Sequence, residues 1–152
     1  RILSAMKMVI IFIVFFLAFA FGITIYARAA WGRLPIKKTI QIGATVFTVE
    51  VADTVALRAK GLSGHAPLGA KNGMLFIFKS PSGGAFWMQG MLFPLDFVWI
   101  KKGVVVGVTE NARPMKEIGY KLYYPPLPVD NVLEVNAGTV KKFGIKAGDK
   151  VH

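Results

Sequence analysis

The chain has 152 residues, no cysteine, 19 basic against 8 acidic residues, and a formal net charge of +11. The missing cysteines exclude disulfides, thiolate nucleophiles and Cys-based zinc or iron–sulfur centres. The charge resembles a nucleic-acid signal until it is divided along the chain. Residues 1–38 hold six basic residues and no acid, whereas residues 39–152 hold 13 basic and 8 acidic residues, scattered apart from the doublets Lys101-Lys102 and Lys141-Lys142. Most of the excess therefore belongs to membrane flanks, and nucleic acid is not an expected partner.

Residues 8–27, MVIIFIVFFLAFAFGITIYA, are uncharged and rich in Ile, Phe, Val and Leu. Twenty residues at about 1.5 Å each span about 30 Å, the hydrocarbon thickness of a bilayer. No helix face is polar, so the segment is not an amphipathic surface helix. Tyr26 and Trp31 stand where an interfacial belt would place them. Ala27-Arg28-Ala29 has the small-x-small form of a cleavage site, but the apolar stretch exceeds that of a typical signal peptide, which favours an uncleaved anchor. Basic residues are denser after the segment than before it, which by itself would place the domain in the cytoplasm. The chain opens on Arg1 rather than Met, which leaves room for basic residues upstream, and we expect a single-pass membrane protein with an extracytoplasmic domain. Residues 1–30 are read as the anchor or uncleaved signal segment, 31–38 as a linker and 39–152 as the folded domain.

Within the domain, TIQI (39–42) and TVFTVEVA (45–52) are strands about a turn at Gly43, the second with clear alternation. Asp53 or Thr54 caps a short helix that runs to Lys60 and stops at Gly61. GMLFIF (73–78) is an apolar strand, SPSGG (80–84) a turn and AFWMQ (85–89) a second strand. FPLDFVWIK (93–101) and VVVGVTE (104–110) follow as strands about Lys102-Gly103. Pro125, Pro126 and Pro128 mark an extended connection. NVLEVN (131–136) is a strand, residues 138–143 a short helix and GIKAGDKV the close. The pattern predicts an α+β fold, predominantly β: a small barrel-like or highly curved antiparallel sheet with two short helices.

In order, RAKGLSG (58–64), NGMLFIF (72–78), FWM (86–88), FPLDFVWI (93–100) and LEVNAG (133–138) resemble the domain-of-unknown-function 192 family over about residues 45–151. The resemblance implies a compact β-rich fold, often behind a signal or anchor segment, and no established activity. The family often shows Arg where this chain has His65.

Two acids interrupt apolar strands. Asp96 shares a strand face with Val98 and Ile100, and Glu134 with Val132 and Asn136. A buried carboxylate must be paired or have its pKa raised. If the two converge, they could divide acid and base roles in a hydrolase. Arg58 is the preferred cationic partner of either acid. Gly61-Leu62-Ser63-Gly64-His65 is neither a nucleophile elbow nor a phosphate loop and reads as a glycine cap and turn, with a small anion cradle as the alternative. Met74, Met88, Met91 and Met115 with His65 are a soft ligand set for copper(I), although core packing is the default for methionines inside strands. Trp87 lies opposite Phe86 and Met88 in its strand and offers an aromatic floor to a sugar or peptide. The favoured reading is a non-enzymatic accessory or ligand-binding domain with Arg58, Trp87, Asp96 and Glu134 about a pocket. It has no cofactor and no metal site, and its partners are the bilayer, through residues 8–27, and a small-molecule, sugar or peptide ligand. The hydrolase and the copper binder are its rivals.

Overall fold

The computed structural model describes residues 36–152. The apolar segment 8–27 lies outside the described residues, and so does every expectation that rests on it. Among the described residues, no helix is long and apolar enough to cross a membrane.

Eight strands and three short helices follow one another: β1 (Ile36–Ile42), β2 (Thr45–Ala52), α1 (Val55–Lys60), β3 (Asn72–Ser82), β4 (Phe86–Trp87), β5 (Leu95–Lys101), β6 (Val104–Ala112), α2 (Met115–Ile118), β7 (Leu122–Tyr123), β8 (Val129–Asn136) and α3 (Thr139–Phe143). Six of the strands form one sheet in the order β1-β2-β3-β8-β5-β6, and β4 pairs with β7 in a small second sheet. The fold is thus mostly β with a curved sheet, as expected, and differs in several details: β3 runs on to Ser82 through residues expected as a turn, and β4 keeps only Phe86 and Trp87 of the expected strand. A third short helix is present at Met115–Ile118, where a four-residue turn carries too little periodicity to be read. The sheet is mixed rather than antiparallel, because β2 and β3 run parallel. A parallel pair needs a crossover connection, and α1 with the loop to residue 71 supplies it. Finally, β1 begins at Ile36 and takes in residues read as linker.

The sheet is not closed by a continuous ladder of hydrogen bonds, yet its edges meet through the C-terminal tail. Val151 bridges Ile42 of β1, and Lys150 bridges Val104 of β6. The Gln41 N–H donates to the His152 carbonyl at 2.8 Å and the Val105 N–H to that of Asp149 at 2.9 Å. The outer strands of a flat six-stranded sheet would lie about 24 Å apart. One tail can reach both only if the sheet curls strongly.

Both faces of the sheet are covered. Met74, Phe76, Phe97, Trp99 and Val132 pack on one face, beneath α1, the β4–β7 pair and the intervening loops. Leu75, Val98, Ile100, Leu133 and Val135 pack on the other, with Val140 of α3. This explains why LDFVWI of β5 is apolar throughout, since every residue from Leu95 to Ile100 is buried. Each large apolar side chain placed in this way contributes about 1.5–3 kcal/mol. At Gly73 the β8 backbone comes so close that an added Cβ would lie 2.7 Å from the Glu134 carbonyl oxygen. Only glycine permits that approach.

Candidate functional site

Helix α1 is positioned by its caps. The Thr54 hydroxyl accepts a hydrogen bond from the Leu57 N–H at 3.1 Å. Gly61, at φ 50°, returns its own N–H to the Leu57 carbonyl. Arg58 then ties the helix to the sheet, donating from one terminal nitrogen to the carbonyls of Asp53 at 2.8 Å and Ile77 at 2.9 Å. Its guanidinium carbon lies 5.4 Å from the centre of the Phe78 ring. Arg58 therefore pairs with neither Asp96 nor Glu134, and the ion pair found among the described residues is Arg113–Glu117.

Between α1 and the segment around β4 lies a cleft of about 280 Å³. Its aromatic wall is organised by Phe86. That ring packs edge-to-face on Phe76 at 5.2 Å and on Trp99 at 5.4 Å, and lies at a tilt to Phe97 at 5.6 Å. Trp87 turns away from that cluster, is half exposed, and lines the cleft. Glu134 stands on the cleft wall with only 5 % of its surface exposed. No hydrogen bond or ion pair to its side chain is found among the described residues, and neither oxygen is both fully enclosed and unpartnered, so the carboxyl group reaches the cleft. Burial without compensation pushes its carboxyl up to about 8, so that it is mostly protonated at neutral pH.

Asp96 is not part of the cleft. Asp96 registers with Val135, and Phe97 with Glu134. The two acids therefore project from opposite faces of the sheet. Asp96 is wholly buried beside α3, where its oxygens accept the N–H groups of Asn111 and Val140, each at 2.9 Å. The expected pocket thus brings together Arg58, Trp87 and Glu134 and leaves Asp96 out. The two-carboxylate hydrolase does not assemble.

The Gly61–His65 segment is a turn whose amides are already committed. The N–H groups of Ser63, Gly64 and His65 donate to the carbonyls of Lys60, Gly90 and Leu62, and the Ser63 hydroxyl donates to the Gln89 carbonyl at 2.8 Å. With these donors used, no anion cradle forms there. Met74, Met88 and Met91 are buried in the apolar cluster with Met115 packed against it, so their placement is that of core residues. Among the described residues, no group of three or more His, Asp or Glu could hold a metal. Phe76, Phe78 and Lys60, which the sequence pattern alone does not mark as site residues, also line the cleft, as does Met91, expected as a soft metal ligand. Alternation in GMLFIF offered a signal for two of them, since Phe76 and Phe78 must share a strand face.

Residues 37–152 match the family model of DUF192, whose description reads uncharacterized ACR. The chain belongs to the DUF192 family. Two crystal structures share the fold. One is a candidate transcription regulator from Sinorhizobium meliloti 1021, 31% identical with a TM-score of 0.73, the match covering 79% of this chain and 95% of that one. The other is a protein of unknown function from Novosphingobium aromaticivorans DSM 12444, also 31% identical, with a TM-score of 0.70 and coverage of 82% and 96%. No curated protein matches the chain. In this DUF192 chain the NGMLFIF, FWM and LEVNAG segments place Phe76, Phe78, Phe86, Trp87 and Glu134 about one cleft.

Proposed function

We propose that this DUF192 chain is a membrane-anchored, extracytoplasmic accessory domain that binds a small, largely apolar molecule in the cleft between α1 and β4, without catalysing a reaction on it. The observation that carries the reading is Glu134. A carboxyl group with no partner, held in an aromatic cleft, is costly to folding and suits a site that receives a ligand. The volume of the cleft is just below the range of roughly 300–1,000 Å³ for drug-sized ligands, which favours a small molecule over a folded partner. The half-exposed Trp87 beside it supports stacking of a ring or another flat apolar group. The anchor rests on the twenty uncharged residues 8–27. The regulator description of the Sinorhizobium relative is not adopted, because the basic residues of the domain are interspersed with acids rather than gathered in a stripe.

Residues 35–152 form a compact unit, and the two crystallised relatives consist almost wholly of it, so the domain is suited to study in isolation. A titration of that unit with small neutral aromatic alcohols, followed by amide and indole NMR shifts, tests the binding reading. Shifts confined to Trp87, Phe86 and the α1 residues support it, and their abolition in Trp87→Ala ties them to the cleft. An absence of saturable shifts there refutes it. External protease applied to intact cells tests the topology: loss of the domain supports the extracytoplasmic placement, and full protection with intact control proteins refutes it.

A further inference from the structure

Three charged or titratable side chains line the cleft: Arg58, Lys60 and Glu134. Of these, Glu134 is the acid, and the elements packed around it add no second one. From β3 the cleft receives Phe76 and Phe78, from β4 Phe86 and Trp87, while Asp96 of β5 faces the other side of the sheet. Both fixed charges at the cleft are therefore cationic. Arg58 commits one terminal nitrogen to backbone carbonyls, and its other N–H groups have no partner among the described residues. Lys60 is exposed at the C-terminal end of α1.

We infer that the cleft selects small carboxylate-bearing molecules with an apolar, most simply aromatic, body: the carboxylate held at the rim by Arg58 and Lys60, the body laid against Phe76, Phe78 and Trp87. The inference rests on the cleft being a ligand site. The cations attract an anion and repel an amine, and the guanidinium offers the fork geometry that a carboxylate accepts. The wall between them is apolar, so the body of the ligand displaces water from aromatic surface. In its protonated form Glu134 adds a hydrogen-bond donor and no opposing charge. Once ionised, it would repel the same ligand, so binding is retained at neutral pH and weakens as the pH rises past about 8.

Three probes of nearly equal shape separate the chemistry: 3-phenylpropionate, 3-phenylpropan-1-ol and 3-phenylpropylamine. Titrated into residues 35–152 at pH 6.5, the carboxylate should bind several-fold tighter than the alcohol and about tenfold tighter than the amine. Lys60→Glu, at an exposed position, should narrow both differences with the fold intact, and Arg58→Met should narrow them further if the helix holds. At pH 9 the affinity for the carboxylate should fall in the wild type and not in Glu134→Gln. If the alcohol or the amine binds at the cleft as tightly as the carboxylate, the inference is overturned while the ligand site stands. If none of the three binds there, both are overturned.

Discussion

Asp96 and Glu134 stand on neighbouring strands one position out of register, and that single step sends their carboxyl groups to opposite faces of the sheet. One acid is hydrogen-bonded by backbone groups and the other opens on the cleft. Asp96 accepts two backbone N–H groups and fastens the β6 end and the start of α3 to the central strands. Glu134 meets an aromatic cleft and has no partner among the described residues. The same chemical group, buried in the same sheet, thus plays a structural part on one side and marks the candidate site on the other.

Replacing Asp96 by Asn tests the structural part. One amide oxygen can still accept, but the new NH₂ group faces an N–H donor, and a buried donor is left unsatisfied. The expected loss is about 2–4 kcal/mol of unfolding free energy, read from urea denaturation. Ligand binding at the cleft should be unchanged under conditions where the variant is folded, because the cleft lies across the sheet. A variant as stable as the wild type would refute the role assigned to the two hydrogen bonds.

Glu134 makes stability depend on pH in a stated direction. Its folded pKa, about 8, exceeds its ordinary value of 4.5. Between those values the folded state binds more protons than the unfolded one. The contribution of Glu134 is thus most favourable below pH 4.5 and is lost progressively up to about pH 8, on the order of 3 kcal/mol by pH 7. Glu134→Gln, uncharged at every pH, should flatten the profile between pH 5 and 8 and equal or exceed the wild type at the upper end. Parallel profiles for the two proteins would show that the carboxyl is not held in its neutral form.

Much of this was legible in the sequence, for identifiable reasons. The alternation of TVFTVEVA and the unbroken apolar run of LDFVWI specify strands by the period of the side chains, and the Thr54 and Gly61 caps delimit α1 by their chemistry. Alternation also fixes which neighbours share a face with Asp96 and with Glu134 within their own strands. It cannot fix the register between β5 and β8, and that register decides whether the acids converge. Likewise, nothing local distinguishes an Arg58 that pairs with an acid from one that donates to the carbonyls of Asp53 and Ile77. The partner at residue 77 lies 19 positions along the chain, in a strand brought alongside by the parallel crossover.

Asn136 links the central sheet to the loop whose first residues line the cleft. Its amide oxygen accepts the Leu68 N–H at 3.0 Å, and its NH₂ group donates to the Leu68 carbonyl at 2.6 Å, so one side chain pairs with a backbone unit as a strand would. Gly61, Leu62 and Ser63 open that same loop and border the cleft. Asn136→Ala removes both bonds and leaves the Leu68 backbone groups to find water. We expect a cost of about 1–3 kcal/mol together with faster amide exchange at Leu68. The exchange should rise there far more than at Val132 and Val135, which β3 and β5 hold from either side. If exchange at Leu68 stays at the wild-type rate while global stability falls, the bonds support the sheet rather than the loop, and the cleft is shaped without them.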